Sequence, residues 1–78
     1  MAKLTQTQED YLRAIMRLEE DNHGAVGITK IANYLHLSKS TVSERTKELM
    51  QNDLVVSSAY SPIRLTKSGK RLATEITR

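Results

Sequence analysis

Residues 28–56 read ITKIANYLHLSKSTVSERTKELMQNDLVV. The spacing of the apolar positions describes two short amphipathic helices, a tight turn between them and a strand at the end. Ile31, Ala32 and Leu35 share one face of the first helix, Leu37 closes the turn, and Ser38 is the expected N-cap of the second helix. Val42, Thr46 and Leu49 line one face of that second helix. At about 100° per residue, Ser40, Ser43, Glu44 and Lys47 fall opposite them, an i, i+3, i+4, i+7 row with no apolar member. A short helix with a packed back and a front of small polar side chains is what the major groove of DNA admits, and the pair of helices reads as a helix-turn-helix.

Upstream, Thr5 or Thr7 suits the cap of a helix over about 5–21, with Glu9 and Asp10 in its opening turns where the helix dipole favours acids. Tyr11, Ala14, Ile15 and Leu18 form one apolar stripe, and Leu12 and Met16 a second about 100° round, so burial on two sides is expected. Glu19-Glu20-Asp21 is a poor helix end electrostatically, Gly24 and Gly27 mark a loop, and Thr29 is the expected cap of a helix over about 29–36. The recognition helix then spans about 39–52. Downstream, residues 54–58 and 63–65 are β-rich runs around the turn residues Ala59-Tyr60-Ser61-Pro62, giving a two-stranded hairpin over about 54–65. Thr66 offers the cap of a last helix over about 67–77, with Leu72, Ala73 and Ile76 facing inward. Helix, helix-turn-helix, hairpin, helix is the order of a winged helix-turn-helix: mainly α, with a small β-hairpin as the wing, in a single domain over 1–78.

Composition bounds the function. A chain of 78 residues buries only a modest core, and with no Cys it has neither disulfides nor thiolate metal ligands. Lacking Trp and Phe, that core must be aliphatic, helped by Tyr11, Tyr34 and Tyr60. There is no apolar run of spanning length, and Met-Ala-Lys-Leu-Thr-Gln lacks the apolar core of a signal peptide, so a cytoplasmic protein with no membrane partner is expected. Residues 1–37 hold four Lys/Arg against five Asp/Glu, whereas residues 38–78 hold eight against four. Positive charge thus gathers in the half with the recognition helix and wing, as a phosphate-facing surface needs.

The expected partner is double-stranded DNA. Ser40, Ser43 and Glu44 would reach base edges, and Thr41 lies in the same opening turns. Backbone amides near Ser38 and Thr29, with Lys39, Lys47, Arg64 and Lys67, would hold phosphates. Tyr60, at the wing tip, either touches the DNA backbone or covers the core side of the hairpin. The plainer reading of each is a solvated face, a helix cap or a loop residue. His23 and His36, in loop and turn, read as surface residues. Ser and Thr occur as caps and turn residues, with no nucleophile–base pair and no glycine-rich phosphate loop, which argues against an enzyme. The rival is a winged helix that binds protein, which would carry Leu, Met or aromatic anchors on the front of the recognition helix.

A family resemblance rests on three segments. Residues 9–18, EDYLRAIMRL, resemble the opening helix of the iron- and manganese-dependent repressors of the diphtheria-toxin-repressor type. Ile31-Ala32, Leu35, Leu37-Ser38 and Thr41-Val42-Ser43 are similar to their helix-turn-helix, and Arg64-Leu65-Thr66, Gly69 and Leu72-Ala73 to their wing strand and following helix. The resemblance covers nearly the whole chain and implies a transcriptional regulator, specifically a repressor. Family members donate a metal ligand from the position of Asp10, and manganese-type members a carboxylate from that of Arg13, which cannot bind a cation. Most ligands and the dimer interface lie in a C-terminal continuation. The resemblance therefore implies no cofactor in this chain itself, Mn or Fe only where a longer or paired form completes a site, and Asp10 as the one candidate ligand. A homodimer through the first and last helices is the alternative to a monomer, which is favoured if Leu72 and Ile76 cover the Leu12/Met16 stripe.

Overall fold

The computed structural model describes residues 4–57 and 62–77. The elements run α1 (Gln6–Asn22), β1 (Val26–Gly27), α2 (Ile28–Leu35), α3 (Lys39–Gln51), β2 (Val55–Ser57), β3 (Pro62–Leu65) and α4 (Lys67–Thr77). The strands form one antiparallel sheet in the order β1-β3-β2, with Val26 opposite Ile63 and with Val55, Val56 and Ser57 opposite Leu65, Arg64 and Ile63. This is a winged helix-turn-helix.

A side-chain cap opens α1, α3 and α4. Thr5 accepts from the Gln8 amide while the Gln8 side chain returns to the Thr5 amide, a capping box that opens α1. Ser38 takes the Thr41 amide at 3.1 Å, and Thr66 takes the Gly69 amide at 3.0 Å at the start of α4. The ends of α1, α2 and α3 share one device. His23, His36 and Asp53 take left-handed backbone conformations with φ of 55°, 59° and 58°. The following residues Gly24, Leu37 and Leu54 then donate back to the carbonyls of Glu19, Ala32 and Leu49. These are Schellman-type endings built without glycine at the left-handed position.

The core is aliphatic around one phenol. Leu12, Ile15, Val26, Ile31, Val42, Leu49, Val55 and Ile63 are fully buried with Tyr11, each aliphatic side chain contributing about 1.5–3 kcal/mol through burial. α1 packs along α4 and α2, and α3 packs on α2 and β2. Leu12, on the second apolar stripe of α1, is buried, while Met16, Leu72 and Ile76 pack half-buried against the core. α4 thus covers that stripe from within the same chain.

Several expectations change. The sheet has a third strand, because Val26–Gly27 pairs with β3 where the sequence reads as loop. Two residues are too few to show a period of two. That pairing leaves Gly27 extended (φ −75°, ψ 155°) as the N-cap of α2, with no side-chain bond, so Thr29 lies inside the first turn and caps nothing. Pro62 begins β3 rather than ending a turn, a strand position that needs no amide donor. Tyr34 stands 50% exposed instead of helping the core; Leu37 closes its turn through its amide, with its side chain 42% exposed.

Candidate nucleic-acid interface

α3 turns Val42, Thr46 and Leu49 into the core and leaves Lys39, Ser40, Glu44 and Lys47 exposed, with Ser43 half-buried at the margin of the row. Thr46 is polar yet buried. Its hydroxyl donates to the Val42 carbonyl at 2.7 Å, so the inward face carries no unsatisfied oxygen there. Ser38, in extended conformation, accepts from the Thr41 amide and donates to the Thr41 hydroxyl at 2.9 Å. Both hydroxyls are thereby engaged in capping. The amides of Lys39 and Ser40 fall in the part of a helix that has no partner in its own ladder. No acidic residue stands in that first turn to offset the positive end of the dipole.

Arg45 points elsewhere. It pairs with Glu48 one turn on, at 3.2 Å, and both act electrostatically on the Tyr11 phenol. Burial pushes the Tyr11 pKa up, Arg45 pulls against that shift, and Glu48 adds to it. The Tyr11 hydroxyl itself is buried with no hydrogen-bond partner among the described residues.

The wing is placed by a residue that the sequence gives no reason to single out. A carboxylate oxygen of Glu19, on α1, accepts from the Leu65 amide at 2.6 Å. Leu65 lies two residues beyond Ile63, the partner of Val26, so its amide meets the β1 edge of β3 where β1 has already ended. Glu19 supplies the acceptor that a longer strand would have given. Its acidic neighbours made it read as a helix-end charge, and a contact 46 residues away in sequence leaves no local signal.

The remaining candidates separate. Arg64 is exposed on β3, opposite Val56, and its guanidinium reaches over Gly24. There it borders a cleft of about 520 Å³ that Glu19, Glu20, His23 and Lys70 also line. Lys67 is exposed in the first turn of α4, and Thr29 in the first turn of α2. Tyr60 lies outside the described residues. Asp10 keeps to its own helix: Oδ1 accepts from Arg13 Nη1 at 3.3 Å and from Gln6 Nε2 at 3.0 Å. Among the described residues no group of three or more His, Cys, Asp or Glu could hold a metal ion, and the surroundings of Asp10 do not fit one.

Known proteins share this geometry. Over its full length the chain is 35% identical to the diphtheria toxin repressor of Corynebacterium diphtheriae, and it spans 34% of that protein. The structure of the manganese regulator SloR superposes with a TM-score of 0.75 at 34% identity, over 95% of this chain and 34% of that one. ZitR of Lactococcus lactis gives 0.77 at 29% identity, over 97% and 50% respectively. Residues 3–63 match the family model described as iron dependent repressor, N-terminal DNA binding domain. The chain belongs to the iron-dependent repressor family and corresponds to its N-terminal DNA-binding domain.

Proposed function

We propose that this chain reads specific sequences in double-stranded DNA with α3 in the major groove, and that it serves transcriptional repression rather than catalysis. The observation that carries the reading is the front of α3: short hydroxyls, Lys47 and one carboxylate, opposed to Val42, Thr46 and Leu49. Ser40, Ser43 and Glu44 reach base edges, Glu44 accepting from a cytosine amine. Lys39, Lys47, Arg64 and Lys67, with Thr41 and the amides around Ser38 and Thr29, track phosphates, and Tyr60 joins them as a DNA-contacting residue. The family supports the same use, since its name describes this domain as DNA-binding.

The relatives' names mention iron, manganese and zinc. In this chain a metal enters only through a longer or paired form. Because α4 covers the second stripe of α1, the 78 residues act as a monomer on one half-site. No helix among the described residues is long and apolar enough to cross a membrane, and a cytoplasmic location goes with the DNA partner.

A second reading, docking to a protein, draws on Tyr34 and Leu37, which are large, apolar and exposed beside the α2–α3 turn. Selection of bound duplexes from a random DNA pool separates the two. The DNA reading predicts enrichment of a motif about one major-groove contact wide, lost on Glu44→Ala at one base position. Recovery of no motif from a folded protein would favour the protein partner.

A further inference from the structure

We propose that Arg13 acts as a built-in cation that closes the first helix of this chain to divalent metals. Two nitrogens of one guanidinium hold two carboxylates: Nη2 lies 3.5 Å from Glu9 Oε1, and Nη1 3.3 Å from Asp10 Oδ1. The Gln6 amide occupies the same Asp10 oxygen at 3.0 Å. Asp10 therefore has donors in place from one turn before and one turn after it, and Glu9 from one turn after. Unlike a bound ion, the Arg13 cation is covalently part of the chain and cannot diffuse away. An ion arriving at Asp10 Oδ1 would have to displace both donors, and at either oxygen it would meet a like charge alongside. The acids are only partly shielded, with Asp10 at 47% and Arg13 at 40% side-chain exposure, so access does not exclude the metal; charge and occupancy do.

The proposal rests on the ion cluster of α1 and not on DNA binding, so it is tested without DNA. Mn2+ is titrated into the isotopically labelled chain and amide line broadening is followed by nuclear magnetic resonance. In the parent, residues 9–13 are expected to broaden no more than other exposed acidic positions. Arg13→Glu places a third carboxylate beside Glu9 and Asp10 and should give saturable broadening centred there, with binding at least about tenfold tighter than the parent's. Arg13→Lys, which keeps the charge, should behave as the parent does. Saturable Mn2+ binding at Asp10 in the parent would overturn the proposal. So would an Arg13→Glu variant that stays folded and remains as indifferent to Mn2+ as the parent, because Arg13 would then not be what keeps the ion away.

Discussion

Tyr11 shows how a side chain can fill space in this core without completing its chemistry. Its ring is 1% exposed, yet its hydroxyl has no partner among the described residues. A buried hydroxyl without a partner costs about 1–3 kcal/mol. Tyr11→Phe should therefore leave stability unchanged or raise it by about 1 kcal/mol in urea unfolding at pH 7, and a loss greater than that would mean the hydroxyl is hydrogen-bonded. The same position sets an alkaline limit. Burial raises the Tyr11 pKa above its ordinary value of 10.0 in the folded chain. The unfolded chain then gives up this proton first, so the contribution is complete below about pH 10 and is lost as pH climbs through the folded value. Tyr11→Phe should lack that part of the alkaline decline. Leu49, 1% exposed at the back of α3, is the complementary case, with every atom of its side chain apolar. Leu49→Ala should cost about 2–5 kcal/mol in the same assay, and a near-parental stability would shift the helical phase from which the groove face follows.

α4 approaches the backbone of Leu54, just before β2, so closely that only glycine fits at position 69. A Cβ built on Gly69 would fall on the Leu54 carbonyl, which also accepts from the Thr66 amide at 3.0 Å. Backbone cannot yield as a side-chain tip can. Gly69→Ala should therefore destabilise by about 1–3 kcal/mol, despite alanine's better helix propensity, and a gain in thermal stability would show that α4 can move away. This constraint was not legible from propensity, whereas the phases of α1, α3 and α4 were. In those helices the apolar residues recur often enough to define a face, and Ser38, Thr66 and one of Thr5 and Thr7 mark the starts. β1 was not legible, because Val26–Gly27 is a strand only by virtue of Ile63 and Pro62 across from it. The misplaced start of α2 follows from the same pairing. On the site side, the exposed front of α3 could be read from period alone, but the Glu19 tether of the wing and the Arg13 clamp on Asp10 could not. Each depends on where a flexible charged side chain comes to rest, which sequence spacing permits without specifying.

Taken together, the chain is polarised. Its acidic half supplies the packing scaffold of α1, and its basic half supplies α3 and the wing, with the Lys/Arg excess confined to residues 38–78. α4 closes the scaffold by covering the Leu12/Met16 side of α1, which leaves Tyr34, Leu37 and Val56 as the large apolar residues exposed among those described. Single modules of this kind bury roughly 600–1,000 Å² on DNA. Affinity should accordingly be modest and dominated by phosphate contacts, with specificity supplied by a few side chains on α3. The most direct test is a salt-dependent titration of the selected duplex and its single-base variants with the parent, Lys47→Ala and Glu44→Ala, each checked for an unchanged fold. Lys47→Ala should weaken binding to all the duplexes alike and reduce the salt slope by about one. Glu44→Ala should instead flatten discrimination at one base position, worth about 1–3 kcal/mol in the parent. Parental affinity, salt slope and base preference in both variants would contradict placement of α3 in the groove.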